Sequence, residues 1–416
     1  MRSRRRWVSS GLLVGAGLVA WNAGNWIFFI LAGRLLGPSD YGLVAALLSA
    51  CLVVAVLCSG LQPSLASANR GNPPDAIFAR VVRVAIIVTA VGMIVVSATM
   101  LLAGVVYRGF PTGESLATIS VVSGIAVFFL ALGQLQTEGK FGRYSLACAV
   151  VGITRPIAFI LLWLAGVSVI SPLVGTATSW IVGAVVALWF ARRALHTPPI
   201  RRTSEDWRRF TRALVPNAAG ITALAILTNA DVIAGRLVLG GRESGIFAAT
   251  SAIGQGLFIV PQVFVILVLP RLAARHAQDK SSAMIATTGV TVTVAAGCGF
   301  ALLALPLGAI MMQLTYGGAF RTSGELLPFY VFTMGFMGCI IVLQYHQVAR
   351  RDFRYSWCLL GIAGLQVLLL AIFARSYETI IAVDLACAIA AIAAHELLAK
   401  RAGERIIDGF RRKSPA

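Results

Sequence analysis

Arg155 stands alone as a charge inside an apolar run, CAVVGITRPIAFILLW, with Pro156 beside it. A guanidinium in a stretch of that kind costs at least ~2.5–3.5 kcal/mol to insert into a bilayer, so its home is a bundle interior or a wet cavity. Its planar fork suits bidentate hydrogen bonds to phosphate oxygens, which points to a diphosphate ligand. Two structural readings compete with that one: an ion pair with Asp384, and a side chain reaching for the nearer membrane surface. Asn22 and Asn25 are three positions apart and share one helix face. Their amides suit sugar hydroxyls, and equally suit hydrogen bonds that join neighbouring helices.

Further polar groups cluster at the ends of apolar runs. Asn229, Asp231 and Arg236 lie near the end of one run, and Arg34 takes the corresponding place near the end of the first. The two arginines fit interfacial anchors or gate residues, or contacts to a phosphate. Gln134, Gln255, Gln262 and Gln344 add amides, any of which can face a cavity, and Asp231 and Asp384 are the acids able to couple an ion. Trp21, Trp26, Trp163 and Trp180 fit an interfacial belt or sugar stacking. Catalytic patterns are missing. GQLQTEGKF from Gly133 departs from the phosphate-loop spacing, no H-E-x-x-H occurs, and His196, His276, His346 and His395 are far apart in sequence. The seven cysteines form no C-x-x-C pair, which argues against zinc and disulfides. The expectation is a non-enzyme without cofactor or metal.

The elements that must position these groups follow from composition. Of 416 residues, 58% are hydrophobic and 12% charged, half the charge of a typical soluble domain. Runs long enough to cross a ~30 Å core fall at 9–32, 42–62, 84–106, 116–136, 145–166, 170–190, 213–234, 245–268, 284–311, 325–345, 356–374 and 377–399. The N-terminal run is too long for a cleaved signal and reads as the first span. The net charge of +19 resides in short Lys/Arg clusters between spans, which excludes a nucleic-acid surface. With the N-terminus inside, 28 of the 35 Lys and Arg fall in inner segments, so both termini are expected in the cytoplasm. The sequence thus predicts an all-α polytopic membrane protein of about twelve transmembrane helices.

A repeat organises them. GRLLGPSDYG at 33–42 returns as GRLVLGGRESG at 235–245 with one extra residue, and Gly42, Ala45 and Ala46 match Gly245, Ala248 and Ala249. Each copy joins the first two spans of its half, so the halves run in the same direction, as two parallel-repeat six-helix bundles around a central cavity. The expected bundles are 1–200 and 201–416, joined by a linker at about 191–212 that carries seven arginines. That linker suits anionic membrane lipid or a docking partner.

The hairpin GRLLGPSDYGLVAALLSA after a span bearing Asn22 and Asn25 resembles the polysaccharide-biosynthesis, oligosaccharide-flippase branch of the multidrug/oligosaccharidyl-lipid/polysaccharide (MOP) exporter superfamily. NADVIAGRLVLGGRESGIFAA, IVPQVFVILVLPRLA and LPLGAIMMQLTYGGAF are similar to later segments of that family. The resemblance implies a flippase that moves a polyprenyl-diphosphate-linked glycan from the inner to the outer leaflet of a bacterial plasma membrane, by alternating access and beside glycan-assembly enzymes. Arg155, Asn22, Asn25, Arg34, Asn229, Arg236 and Gln255 are then the candidate substrate contacts, and Asp384 and Asp231 the candidate ion-coupling or ion-pairing groups. Alternative readings are an ion-coupled drug or metabolite antiporter of the same superfamily, a lipid II flippase, and a non-transport scaffold for glycan synthesis.

Overall fold

The computed structural model describes residues 2–59, 62, 120–122, 124–167, 169–196, 204–265, 283–350 and 352–400. The described residues form helices and their connections without a strand, as a chain in hydrocarbon must if each segment is to satisfy its own backbone groups. In order they are α1 (Arg2–Ser59), α2 (Ile125–Thr137), α3 (Phe141–Leu164), α4 (Ser171–His196), α5 (Ser204–Val238), α6 (Gly241–Gln255), α7 (Ala283–Tyr316), α8 (Leu327–Ala349), α9 (Arg354–Phe373) and α10 (Tyr377–Lys400).

Ten of the described helical stretches are long and apolar enough to cross a membrane, and the first, Val14–Val53, spans 40 residues. At 1.5 Å per residue that is about 60 Å, twice a hydrocarbon core. Gly37 divides it, with φ 74° and ψ 173° inside the helix. Glycine reaches that left-handed φ without a Cβ penalty, and Pro38 supplies the pre-set φ for restarting the helix. The stretch therefore holds the first two spans expected from sequence. The expected third, 84–106, lies outside the described residues. So does part of the basic linker, 197–203, after which α5 begins at Ser204 and runs on into the seventh span.

Gly240 precedes α6 with φ 79° and ψ 179°, almost the conformation of Gly37. Allowing for the extra residue of the second copy, the two glycines are equivalent. One backbone device thus makes both hairpins.

Helix contacts divide the chain into two compact units, one of residues 1–36 with 51–218, the other of 37–50 with 219–416. In the first unit, glycines let helices touch. A Cβ at Gly24 would collide with the carbonyl oxygen of Gly152, and one at Gly17 would meet Ser145 at 2.5–2.6 Å. Gly152 O is the acceptor that Pro156, lacking N–H, leaves unused four residues on; against it lies the small Gly24 of α1. Trp21, Phe128, Phe129 and Trp180 fill the neighbouring core, with Trp21–Trp180 centroids at 5.7 Å and Phe128–Trp180 at 5.5 Å. Trp21 and Trp180 are therefore packing residues.

In the second unit, α8 is central, packed against α6, α7 and α10. α7 turns Leu302, Leu303, Leu305 and Leu314 outward, a leucine face that belongs in lipid rather than water.

Candidate functional site

Two buried polar centres stand out, one in each unit. The first is built on α3, where Arg155 is 5% exposed and lies nine residues before the helix end, about 14 Å along the axis. Its Nη1 donates to Asn25 Oδ1 at 2.6 Å and its Nε to Thr176 Oγ1 at 3.0 Å, while its Cζ lies 4.0 Å from the Phe28 ring centroid. Thr176 Oγ1 in turn donates to Pro172 O at 2.7 Å. The Gly24–Gly152 approach brings α1 close enough for Asn25 to reach the guanidinium. A carboxamide, a hydroxyl and a ring face orient the fork.

Asn22, one turn before Asn25, donates to Leu18 O at 2.8 Å and so spends its amide N–H on its own helix. Arg34 is exposed at the end of the first half of α1. Gln134 donates to Glu138 at 2.8 Å, Gln344 to Ser356 at 2.8 Å, and Gln262 is exposed.

The second centre joins α5, α6, α8, α9 and α10. Asp231 and Asp384 are both 0% exposed, and their charges act on one another. A chain of donors converges on Asp231. Gln255 Nε2 donates to Ser251 Oγ at 3.2 Å and to Thr228 O at 2.6 Å. Ser251 and Tyr330 hydroxyls are 2.7 Å apart, and Tyr330 OH donates to Asp231 Oδ2 at 2.6 Å. Because the tyrosine proton is committed to the carboxylate, Ser251 is the donor to Tyr330. On the other carboxylate, Gln366 Nε2 donates to Asp384 Oδ1 at 2.8 Å and to Leu227 O at 3.1 Å. Asn229 donates to Ala225 O at 2.9 Å.

Three buried oxygens at this centre have no hydrogen-bond donor, Asp231 Oδ1, Asp384 Oδ2 and Gln366 Oε1, and Asn229 Oδ1 on the helix of Asp231 also has none. Buried carboxylates of this kind are costly in an apolar bundle unless something compensates them. Ser251, Tyr330 and Gln366 were not singled out from sequence. Gln366 had a signal, as a lone amide in the apolar run GIAGLQVLLLAIF. Ser251 and Tyr330 had none, since hydroxyls are common in membrane helices.

The repeated hairpins meet within the second unit. A Cβ at Gly42 would lie 2.6 Å from Gly245 N and from Ser244 Oγ, and one at Gly245 would collide with Pro38 O. Arg236 Nη1 fastens the tips, donating to Ser39 O at 3.3 Å, Gly241 O at 3.4 Å and Ser244 Oγ at 3.2 Å. Gly42 and Gly245, matched in the repeat, therefore face one another.

Comparison with solved structures gives a match of TM-score 0.71 to lipid II flippase MurJ in an inward closed conformation, at 17% identity over 96% of this chain and 89% of that one. An inward-facing multidrug resistance MATE family transporter of the MOP superfamily matches at 0.67, with 14% identity over 94% and 96%. A eukaryotic MATE transporter matches at 0.65, with 14% identity over 93% and 94%. No curated protein sequence matches. The family described as polysaccharide biosynthesis protein matches residues 22–276, more than half of the chain. The chain is a multi-pass membrane protein with the MOP transporter fold, and it belongs to the polysaccharide biosynthesis protein family.

Proposed function

We propose that this protein is a flippase, not an enzyme, and that it moves a polyprenyl-diphosphate-linked oligosaccharide from the inner to the outer leaflet of a bacterial plasma membrane by alternating access. Both termini are cytoplasmic in this reading, which follows from the Lys/Arg asymmetry. The observation that carries it is Arg155, a buried cation oriented by Asn25, Thr176 and Phe28 in a chain of the polysaccharide biosynthesis family. The guanidinium takes the diphosphate, the sugars meet amide and hydroxyl groups, and the lipid tail stays in the bilayer.

Asp231 and Asp384 supply the coupling site. A proton or a monovalent cation taken up at the donorless oxygens of Asp231 and Asp384 links the cycle to an ion gradient. The hairpin tips held by Arg236 are the outer gate, and Arg34 lies beside them in sequence as an interfacial anchor. The test is flipping of a polyprenyl-diphosphate disaccharide in proteoliposomes under imposed sodium or proton gradients. Gradient-dependent flipping that Arg155→Ala and Asp384→Asn both abolish is expected. Flipping unaffected by Arg155→Ala removes that residue from the mechanism, and flipping independent of both gradients removes the carboxylate pair.

A further inference from the structure

One hydrogen-bond chain in the second unit begins outside the buried centre. Gln255 is half-buried and closes α6, where its Nε2 donates to Thr228 O of α5 at 2.6 Å and to Ser251 Oγ at 3.2 Å. Its Oε1 takes part in neither bond and is not among the buried oxygens without a donor, so it lies on the accessible side of the residue. Seven residues on, Gln262 is exposed, and Ile259 between them is 45% exposed. Positions 255, 259 and 262 fall on one side of the span Gly241–Val265. A carboxamide left without partners in hydrocarbon is costly, so this side meets water or a hydrophilic ligand.

From Gln255 the chain runs inward to a charge. Ser251 donates to Tyr330 at 2.7 Å, and Tyr330 to Asp231 Oδ2 at 2.6 Å. Gly254 makes room for it, because a Cβ there would collide with the Tyr330 ring. Phe247 meets the same ring edge-on at 5.6 Å. Among the described residues, the titratable groups facing Asp231 are Tyr330 and Asp384. The two hydroxyls have two arrangements. With Asp231 ionised, both hydrogens point towards it. With its charge cancelled by a proton or a cation, the bond from Tyr330 falls from charge-assisted to ordinary strength, and the tyrosine is able to turn its hydrogen to Ser251. Ser251 then accepts from Tyr330 and Gln255 together and sends its own hydrogen elsewhere. A carboxamide nitrogen is a donor only and has no such reversal, so the change ends as a loosened Gln255.

We infer that Gln255 contacts the hydroxyl-rich head of the ligand, and that Ser251 and Tyr330 are positioning residues that tie its grip to the charge on Asp231. An ionised Asp231 holds Oε1 fixed as an acceptor for a ligand hydroxyl, and a neutralised one releases it. Ligand and ion therefore oppose one another, and by linkage each weakens the other's binding by the same factor. That the ligand carries sugars and that Asp231 takes an ion rest on the function proposed above; the wiring between Asp231 and Gln255 does not.

The test is nitrogen-15 NMR of glutamine side chains in the full-length protein in nanodiscs, with the Gln255 signal assigned by its loss in Gln255→Leu. Asp231→Asn imitates the neutralised carboxyl without any ion. It is expected to move the Gln255 signal, and not to move it in a Ser251→Ala background, where Gln255 keeps Thr228 O and Asp231 keeps Tyr330. Tyr330→Phe breaks the chain at its next link and should give the same result, which keeps the question answerable if Ser251→Ala misfolds. In parallel, a polyprenyl-diphosphate disaccharide should bind at least about fivefold more weakly to Asp231→Asn than to wild type, and that ratio should fall below about twofold in the Ser251→Ala background. A Gln255 signal indifferent to Asp231→Asn, or a shift that persists in Ser251→Ala or Tyr330→Phe, overturns the wiring, and equal affinity of wild type and Gln255→Leu overturns the contact. A disaccharide lipid that fails to bind wild type, with the NMR results as expected, overturns the flippase reading and the sugar contact and leaves the wiring in place.

Discussion

Replacing Arg155 by Met separates a functional from a structural guanidinium. The substitution keeps most of the volume and removes the charge. It orphans Asn25 Oδ1, which costs about 1–3 kcal/mol, and removes the stacking on Phe28, worth about 0.5–2 kcal/mol. Thr176 keeps its bond to Pro172 O. Against these losses stands relief of a buried charge, several kcal/mol per ion, so stability should change by no more than about 1–2 kcal/mol, with either sign. Binding of a diphosphate should change far more. Two charge-assisted hydrogen bonds at about 1.5–3 kcal/mol each correspond to a loss of at least about 100-fold. The assay pairs denaturant unfolding in detergent with binding of a polyprenyl-diphosphate disaccharide to protein in nanodiscs. Loss of more than about 4 kcal/mol of stability with affinity intact would refute the reasoning and make Arg155 a structural residue.

Four further outcomes follow from the same geometry. Tyr330→Phe removes the donor to Asp231 and the acceptor of Ser251; unfolding should show a loss of about 2–4 kcal/mol, and Asp231→Asn in the same background should recover part of it. Gly152→Val pushes α1 off α3, because its Cβ would lie 2.6 Å from Trp21 Cα; transport should fall at least about tenfold, whereas Gly361→Ala, with open space at its Cβ, should be silent. Gly42→Leu wedges the hairpin tips apart, so a cysteine placed at Ser244, which is 3% exposed, should react with an external impermeant maleimide about tenfold faster than in the parent. Asp352 is held below the usual carboxylate range by hydrogen bonds from Arg354. Its small contribution is full above the unfolded carboxylate value and is lost as pH falls through the lower folded one, so Asp352→Asn should flatten the acid limb of the unfolding profile slightly.

Among the described residues, span positions were legible because hydrocarbon thickness fixes run length, and the hairpin at 33–42 was legible from its polar residues, whereas its break at Gly37 was not singled out. The equivalence of Gly37 and Gly240 lay in the repeat. Burial of Arg155 was legible from one charge in an apolar run. Its partner Thr176 was not, since nothing in SPLVGTATSW separates that hydroxyl from Thr178 or Ser179 before α3 and α4 pack. Asp231 and Asp384 were visible singly. That they share one centre depends on five helices meeting, and periodicity within one helix carries no such information. The division of α1 between the two units was equally hidden, because a turn glycine says where a chain bends and not which helices it then packs against.

The central claim is tested most directly by depleting the protein in its native cell and assigning polyprenyl-linked glycans to leaflets by accessibility labelling and mass spectrometry. The account predicts that one such lipid accumulates on the cytoplasmic face and that wild-type protein, but not Arg155→Ala, clears it. An unchanged leaflet distribution, in cells shown to hold no second flippase, contradicts it.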